Sequence, residues 1–200
     1  GVPVGLMAGV YLAEYAAHSR FGALVRFCTN VMMGIPSILV GLYVYGILVK
    51  PMGGFSGWAG ATALALLMLP VVSRTTEDML ALVPNALRES ALALGAPRWK
   101  ATLGIVFRAA RAGLITGVLL AVARISGETA PLLFTSMNSP FAPGSLSEPM
   151  PSLTVTIFSR AMSPYSDWQQ SAWGACLVIT VAVLGMNLAA RAIARPRRNA

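Results

Sequence analysis

Pro84–Phe107 reads PNALRESALALGAPRWKATLGIVF, a stretch too polar to cross a bilayer yet punctuated like folded chain. Asn85 is suited to cap a helix over Ala86–Leu94, because its side-chain oxygen can accept from the free N–H groups of the first turn. Gly95 supplies the left-handed residue that ends a helix, and Pro97 fits the first turn of the next, Pro97–Phe107. Upstream, Thr75-Thr76-Glu77-Asp78 has the hydroxyl-x-x-acid form of a helix start. The expectation is two or three short helices bent at Gly95. Leu87, Ala91 and Leu94 share one face of the middle helix by their i, i+4, i+7 spacing, while Arg88 and Glu89 point elsewhere. Such a helix either lies on a membrane surface with its basic residues at the headgroups or docks in a partner's groove. For docking, the small residues Ser90, Ala91 and Ala93 permit close approach and Glu89 can pair inside the groove. Spacing alone does not choose between them.

The composition around this stretch belongs to a membrane. The 200 residues are 56% hydrophobic and only 11% charged, against about 25% charged in soluble domains. An integral membrane protein is the simplest account. The net charge of +8 would suit nucleic acid, but the basic residues cluster by topology and form no aromatic-laced basic groove, so nucleic acid is not a partner on this reading. Apolar windows at 27–49, 51–73, 112–134 and 168–190 are each long enough to cross, the third only if Arg124 and Glu128 are tolerated. Glycines at 53, 54, 57 and 60 mark the start of the second window as a loop. Residues 1–16 form a fifth, partial segment: its uncharged part spans about 20 Å of a core about 30 Å thick. No secretory signal is evident. The chain is therefore expected to be N-terminally incomplete. Long unbroken apolar runs do not alternate as barrel strands do, so the fold class is all-α, a polytopic transmembrane bundle. It reads as one domain over 1–200, with the connection 74–111 inside it.

Lysine and arginine set the orientation. Arg20, Arg26, Arg74, Arg88, Arg98, Lys100, Arg108, Arg111, Arg191, Arg195, Arg197 and Arg198 fall on one side if the segments alternate. Lys50 and Arg160 fall on the other, and Arg124 lies within a span. The first set marks 17–26, 74–111 and the C-terminus as cytoplasmic. Residues 50–58 and 135–167 are then outside, with a proline- and serine-rich irregular connection at 135–151. Tyr165, Trp168 and Trp173 read as an interfacial belt. Cys28 and Cys176, remote from each other and from His18, read as small buried hydrophobes rather than a disulfide or metal site. Pro36 and Pro70 read as kinks.

The run Glu89-Ser-Ala-Leu-Ala-Leu-Gly95, followed after nine residues by Ile105, resembles the EAA motif of importer-type ABC transporter permeases. That motif runs Glu-Ala-Ala, three residues, Gly, nine residues, Ile, one residue, Leu-Pro. This chain departs from it at Ser90, Phe107 and Arg108, the last of which removes a helix breaker. GIPSILVGL (34–42), LMLPVVSRTTEDML (67–80), ARISGETAPLLF (123–134) and SPYSDWQQSAW (163–173) are similar to the PstA-type family of phosphate-specific transport systems, so the resemblance covers nearly all of the chain. The resemblance implies a type I ABC importer permease (MetI-like) fold and a bacterial cytoplasmic (inner or plasma) membrane location, multi-pass, with a cytoplasmic C-terminus. It implies that Glu89, Ser90, Ala91 and Gly95 couple to an ATPase. It further implies a PstC-like second permease subunit, a pair of ATPase subunits and an extracytoplasmic phosphate-binding protein as partners, besides membrane lipid.

The chain has no Gly-x4-Gly-Lys-Ser/Thr loop to cradle nucleotide phosphates, no Ser-His-Asp set and a single histidine. The expectation is a transport subunit, not an enzyme, without its own cofactor or metal; ATP and Mg²⁺ are expected in the partner ATPase. The candidate substrate-pathway residues are Arg124, Glu128 and Thr129. Arg124 lies about 18 Å of helix beyond Ala112, near mid-membrane, where a charge costs on the order of 2.5–3.5 kcal/mol. Glu128, at i+4, is expected on the same face. The two either neutralise each other and fix packing, or form an anion site in which the guanidinium grips phosphate through two hydrogen bonds. Three functions stay open: a permease subunit of an ATP-driven inorganic phosphate importer, a permease for another oxyanion such as sulfate or molybdate, and a non-transporting membrane anchor or sensor.

Overall fold

The computed structural model describes residues 1–141 and 143–194, and among them there is no strand. Arg195, Arg197 and Arg198, which contribute to the orientation above, lie outside the described residues. Nine helices follow in order among the described residues: α1 Val2–Glu14, α2 Arg20–Gly34, α3 Ser37–Met52, α4 Gly57–Ala81, α5 Asn85–Ala93, α6 Arg98–Ile125, α7 Ala130–Thr135, α8 Leu153–Ala161 and α9 Ser166–Ala194. Both α3 and α6 contain a π-helical turn, at Tyr45–Val49 and Thr102–Val106. Three helices, α4, α6 and α9, are long and apolar enough to cross a membrane, and α2 with α3 makes a fourth span if the broken pair is one.

Several boundaries differ from the sequence expectation, each for a local reason. The 27–49 window is not one helix: it breaks at Ile35 and Pro36, and Pro36 takes an extended backbone ahead of α3. Pro70, by contrast, sits inside α4 without ending it. Thr75–Asp78 starts no helix. α4 continues through it to Ala81, and Arg74 pairs with Asp78 at 3.3 Å and Glu77 at 4.0 Å along the helix itself. Asn85 is the first residue of α5 rather than its cap; Pro84 holds the cap position without a side-chain bond. The connection does not last to Arg111. With arginine instead of proline at 108, α6 runs uninterrupted from Arg98 to Ile125. The 112–134 window breaks after Ile125 into the end of α6 and the short α7. Helix α8, capped by the Ser152 hydroxyl accepting from Val155 N–H at 3.3 Å, falls inside the segment expected to be an external connection. Cys28 is exposed rather than buried, and Cys176 is half-buried.

The chain divides into two compact units. The first comprises Gly1–Met33, Met68–Ala121 and the chain from Asn187. Its core is Leu80, Val83, Val106, Ala110 and Leu114, with Val10, Ala13, Met79 and Phe107 packed around them. Helix α1 approaches α4 closely at Gly9, where a Cβ would stand 2.5 Å from the Ser73 carbonyl oxygen and from the Thr76 Cβ. Gly9→Ala is therefore expected to destabilise by about 1–3 kcal/mol, since overpacking against backbone outweighs the roughly 1 kcal/mol that alanine gains in a helix. Gly174→Ala, where nothing lies within 4 Å, is the control and should leave the melting temperature level or slightly raised. Thermal unfolding in detergent measures both, and an equal response would remove the close approach as the cause.

The second unit comprises Gly34–Leu67 and Val122–Met186. Its core is Val44, Val49, Ala59 and Ala63, against Leu48, Phe55 and Leu66. The amino end of α4 needs acceptors for its free N–H groups. Ser56 N–H donates to Thr135 O at 3.1 Å, Gly57 N–H to Glu148 O at 3.0 Å and Trp58 N–H to Leu146 O at 3.1 Å. The irregular connection after α7 is pinned by these backbone bonds, by the Ser136 hydroxyl donating to Met150 O at 3.0 Å and by the Met150 side chain lying against Gly57. Tyr165, Trp168 and Trp173 are all exposed.

Candidate functional site

Two groups of residues carry the candidate chemistry, one in each unit. In the first unit, α5 starts beyond Pro84 and is stopped by Gly95, whose φ of 80° is left-handed as expected. The N–H of Gly95 donates to Leu92 O at 2.9 Å and that of Ala96 to Ala91 O at 3.1 Å, which satisfies the last carbonyls. Ala91 is buried, and it seats α5 on its own unit. Glu89 and Ser90 are exposed. Among the described residues Glu89 has no ion pair or side-chain hydrogen bond, and the Ser90 hydroxyl donates back to Ala86 O at 2.7 Å. Leu94 is 89% exposed and Leu87 and Leu92 are also exposed, so an apolar surface accompanies the free carboxylate. Exposed leucines of this kind mark a surface that meets a partner or a lipid headgroup layer rather than water alone.

Sequence reasoning missed what holds α5 in place. Arg88 turns inward. Its Nε and Nη2 donate to Glu14 Oε1 at 3.0 and 2.9 Å, its Nη2 to Leu80 O at 2.7 Å and its Nη1 to Val83 O at 2.5 Å and Asn85 Oδ1 at 3.1 Å. A second arginine, Arg26, donates from Nε to Glu77 Oε1 at 2.6 Å and from Nη2 to Leu12 O at 2.9 Å. Both pairs unite residues far apart in the chain, and the one signal available was an acid, Glu14, closing an otherwise uncharged segment. Beside them a cavity of about 110 Å³ is lined by Glu14, Tyr15, Arg88, Leu92, Arg98 and Thr102, among others.

In the second unit, Arg124 and Glu128 are not one helical turn apart on a common face. Helix α6 ends at Ile125, and Ser126 and Gly127 turn the chain, with Gly127 N–H on Arg124 O at 3.2 Å and Glu128 N–H on Ile125 O at 3.0 Å. The Glu128 carbonyl accepts from the Thr154 hydroxyl at 3.0 Å, and Thr129 stands at the start of α7. Arg124 is exposed; Glu128 and Thr129 are half-buried. Among the described residues no ion pair or side-chain hydrogen bond joins Arg124 or the Glu128 carboxylate to anything, so the two do not neutralise each other. The turn places a free guanidinium and a free carboxylate near each other in sequence and leaves both able to meet a group from outside.

A family model described as binding-protein-dependent transport system inner membrane component matches residues 1–197. The chain is 53% identical over 193 residues to the phosphate transport system permease protein PstA of Yersinia pestis, covering 96% of this chain and 65% of that protein. It is 51% identical over 191 residues to PstA of Haemophilus influenzae, covering 96% and 68%. It thus spans about two thirds of the length of these relatives. Its fold is also that of a solved chain of the MetNI methionine ABC transporter in an inward-facing conformation, with a TM-score of 0.77 at 17% identity over 96% of this chain and 83% of that one. The chain therefore belongs to the inner-membrane-component family of binding-protein-dependent transport systems and has the MetI-like ABC importer permease fold, with PstA permeases among its relatives.

Proposed function

We propose that the chain is a membrane permease subunit of an ATP-driven inorganic phosphate importer. The observation that carries this reading is half-identity to PstA permeases over almost the whole chain, joined to an exposed α5 whose Glu89 has no ion pair among the described residues. On this reading α5 docks in a groove of an ATPase subunit, one of a pair. A PstC-like permease completes the pathway, and an extracytoplasmic phosphate-binding protein delivers the anion. ATP and Mg²⁺ bind in the ATPase, since this chain has no phosphate-cradling loop. The α5 side and the C-terminus face the cytoplasm of a bacterial inner membrane, on the arginine and lysine count.

ATP-driven closure displaces α5, and the membrane helices pass between two packings as rigid bodies. Helix α6 begins just past Gly95 and carries Arg124 near its other end, so coupling and anion contact share one helix. Arg124 offers a planar fork to two phosphate oxygens. Glu128 accepts the hydrogen of a protonated phosphate or orients Arg124 once the anion is present, and Thr129 offers a hydroxyl beside them. The free state of Arg124 and Glu128 supports a visiting ligand over a fixed internal pair.

Uptake by the complete complex in proteoliposomes tests this. Phosphate should enter only with ATP inside and binding protein outside, while sulfate and molybdate should not compete. Competition by sulfate or molybdate at the level of phosphate would turn the reading to another oxyanion. Assembly with an ATPase but no ATP-dependent uptake of any oxyanion would turn it to an anchor or sensor.

A further inference from the structure

We propose that the Arg88–Glu14 pair is the link through which α5 moves the membrane helices, so that Arg88 and Glu14 are positioning residues for energy coupling. The inference rests on the coupling role proposed for α5. Arg88 stands immediately before Glu89, on the side of α5 turned to its own unit. Its guanidinium contacts three helices and a joint at once: the Glu14 carboxylate at the end of α1, the Leu80 carbonyl at the end of α4, the Val83 carbonyl in the joint that follows, and Asn85 at the start of α5. The side chains are 20% and 9% exposed, so water competes poorly for them.

Capping alone does not explain this arrangement. The carbonyls at the end of α4 need a donor, and Arg88 supplies one without any acid. Glu14 adds a charge at the end of an otherwise apolar helix, nearly buried, at 2.9 Å from the guanidinium. A carboxylate so desolvated is tolerated only when paired. Its pairing fixes α1 to α5 across 74 residues of chain. Apart from this pair, α5 joins α4 through residues 82–84 and α6 through Gly95 to Pro97, and it packs on the first turns of α6 over Arg98–Val106. A left-handed glycine and two prolines at these joints transmit a pull poorly. The arginine fork, with five donors in one plane, transmits it well. The Arg26–Glu77 pair ties α1, α2 and α4 but does not touch α5, and serves as the structural comparison.

The test uses the assembled full-length complex. Glu14→Gln keeps size and an acceptor oxygen, and Arg88→Lys keeps charge without the fork. Each is expected to copurify with the ATPase and hydrolyse ATP, but to lower the phosphate moved per ATP about tenfold, within the range of coupling effects. Arg26→Gln should lower the melting temperature and leave that ratio unchanged. A second readout needs no phosphate. Spin labels on Met7→Cys and Ala86→Cys, in a background without other cysteines, report the separation of α1 from the first turn of α5. In the otherwise unaltered complex this separation should stay constant on ATP trapping, and in Glu14→Gln it should change. A wild-type ratio in Glu14→Gln and Arg88→Lys, or label separations that shift equally with and without Glu14→Gln, overturns the proposal. A complex that moves no phosphate at all counts against the proposed function, while the label separations still decide the link.

Discussion

Alanine in place of Arg124 is expected to reduce phosphate uptake about a hundredfold while the complex still assembles. Both halves follow from the end of α6. Arg124 is exposed and has no ion pair or side-chain hydrogen bond among the described residues, so its removal should change stability by no more than about 0.5 kcal/mol. A phosphate in a water-poor pathway, however, loses charge-assisted hydrogen bonds worth about 1.5–3 kcal/mol each, and two of them exceed a hundredfold. Arg124→Lys retains the charge but not the fork, and intermediate uptake is expected. ATPase copurification and radiolabelled phosphate uptake on the same preparations measure both effects. Uptake of Arg124→Ala at the wild-type rate would falsify the anion site. Loss of assembly with loss of uptake would move Arg124 to a contact with the second permease.

The parts of the fold that are legible in the sequence are those decided by composition over a long window. Helix α9 matches its apolar window within a few residues because nothing interrupts Ala172–Ala190. The breaks at Pro36 and Gly127 are less legible, because a hydropathy window weighs side chains and ignores the backbone. Both lie in largely apolar surroundings. The opposite error arises at Arg74–Asp78. Charges there read as the end of the span, but they pair with one another along α4 and let the helix continue to Ala81. The stop of α5 at Gly95 is legible, since few residues other than glycine accept φ near 80°. Arg124 and Glu128 are legible as unusual charges, but their separation by a turn is not. The Glu14–Arg88 pair has no local signature, because its partners lie 74 residues apart and only folding brings them together.

Gly95 and Glu89 should fail in different ways when replaced, and the difference tests how α5 engages its partner. Space around Gly95 is open, with nothing within 4 Å of where a Cβ would stand, so only its backbone angle resists substitution. Gly95→Val asks a β-branched residue to hold a left-handed conformation, a penalty of roughly 1–2 kcal/mol or more, and the chain should relax by redirecting the exit of α5. Gly95→Asn, which tolerates that region, should be close to wild type. Glu89 is exposed and has no ion pair among the described residues, so Glu89→Gln should leave the permease fold intact and act on the partner alone. If the carboxylate pairs inside the ATPase groove, losing it should weaken binding by roughly 2 kcal/mol or more, about 30-fold in affinity. Binding of purified ATPase to nanodisc-embedded permease, read by titration, separates the two. Gly95→Val and Glu89→Gln should both bind weakly, but only the first should also show altered proteolysis between Leu94 and Arg98. Tight binding by Glu89→Gln, together with normal uptake, would mean that Glu89 is a solvated surface acid and that the apolar residues Leu87, Leu92 and Leu94 carry the contact.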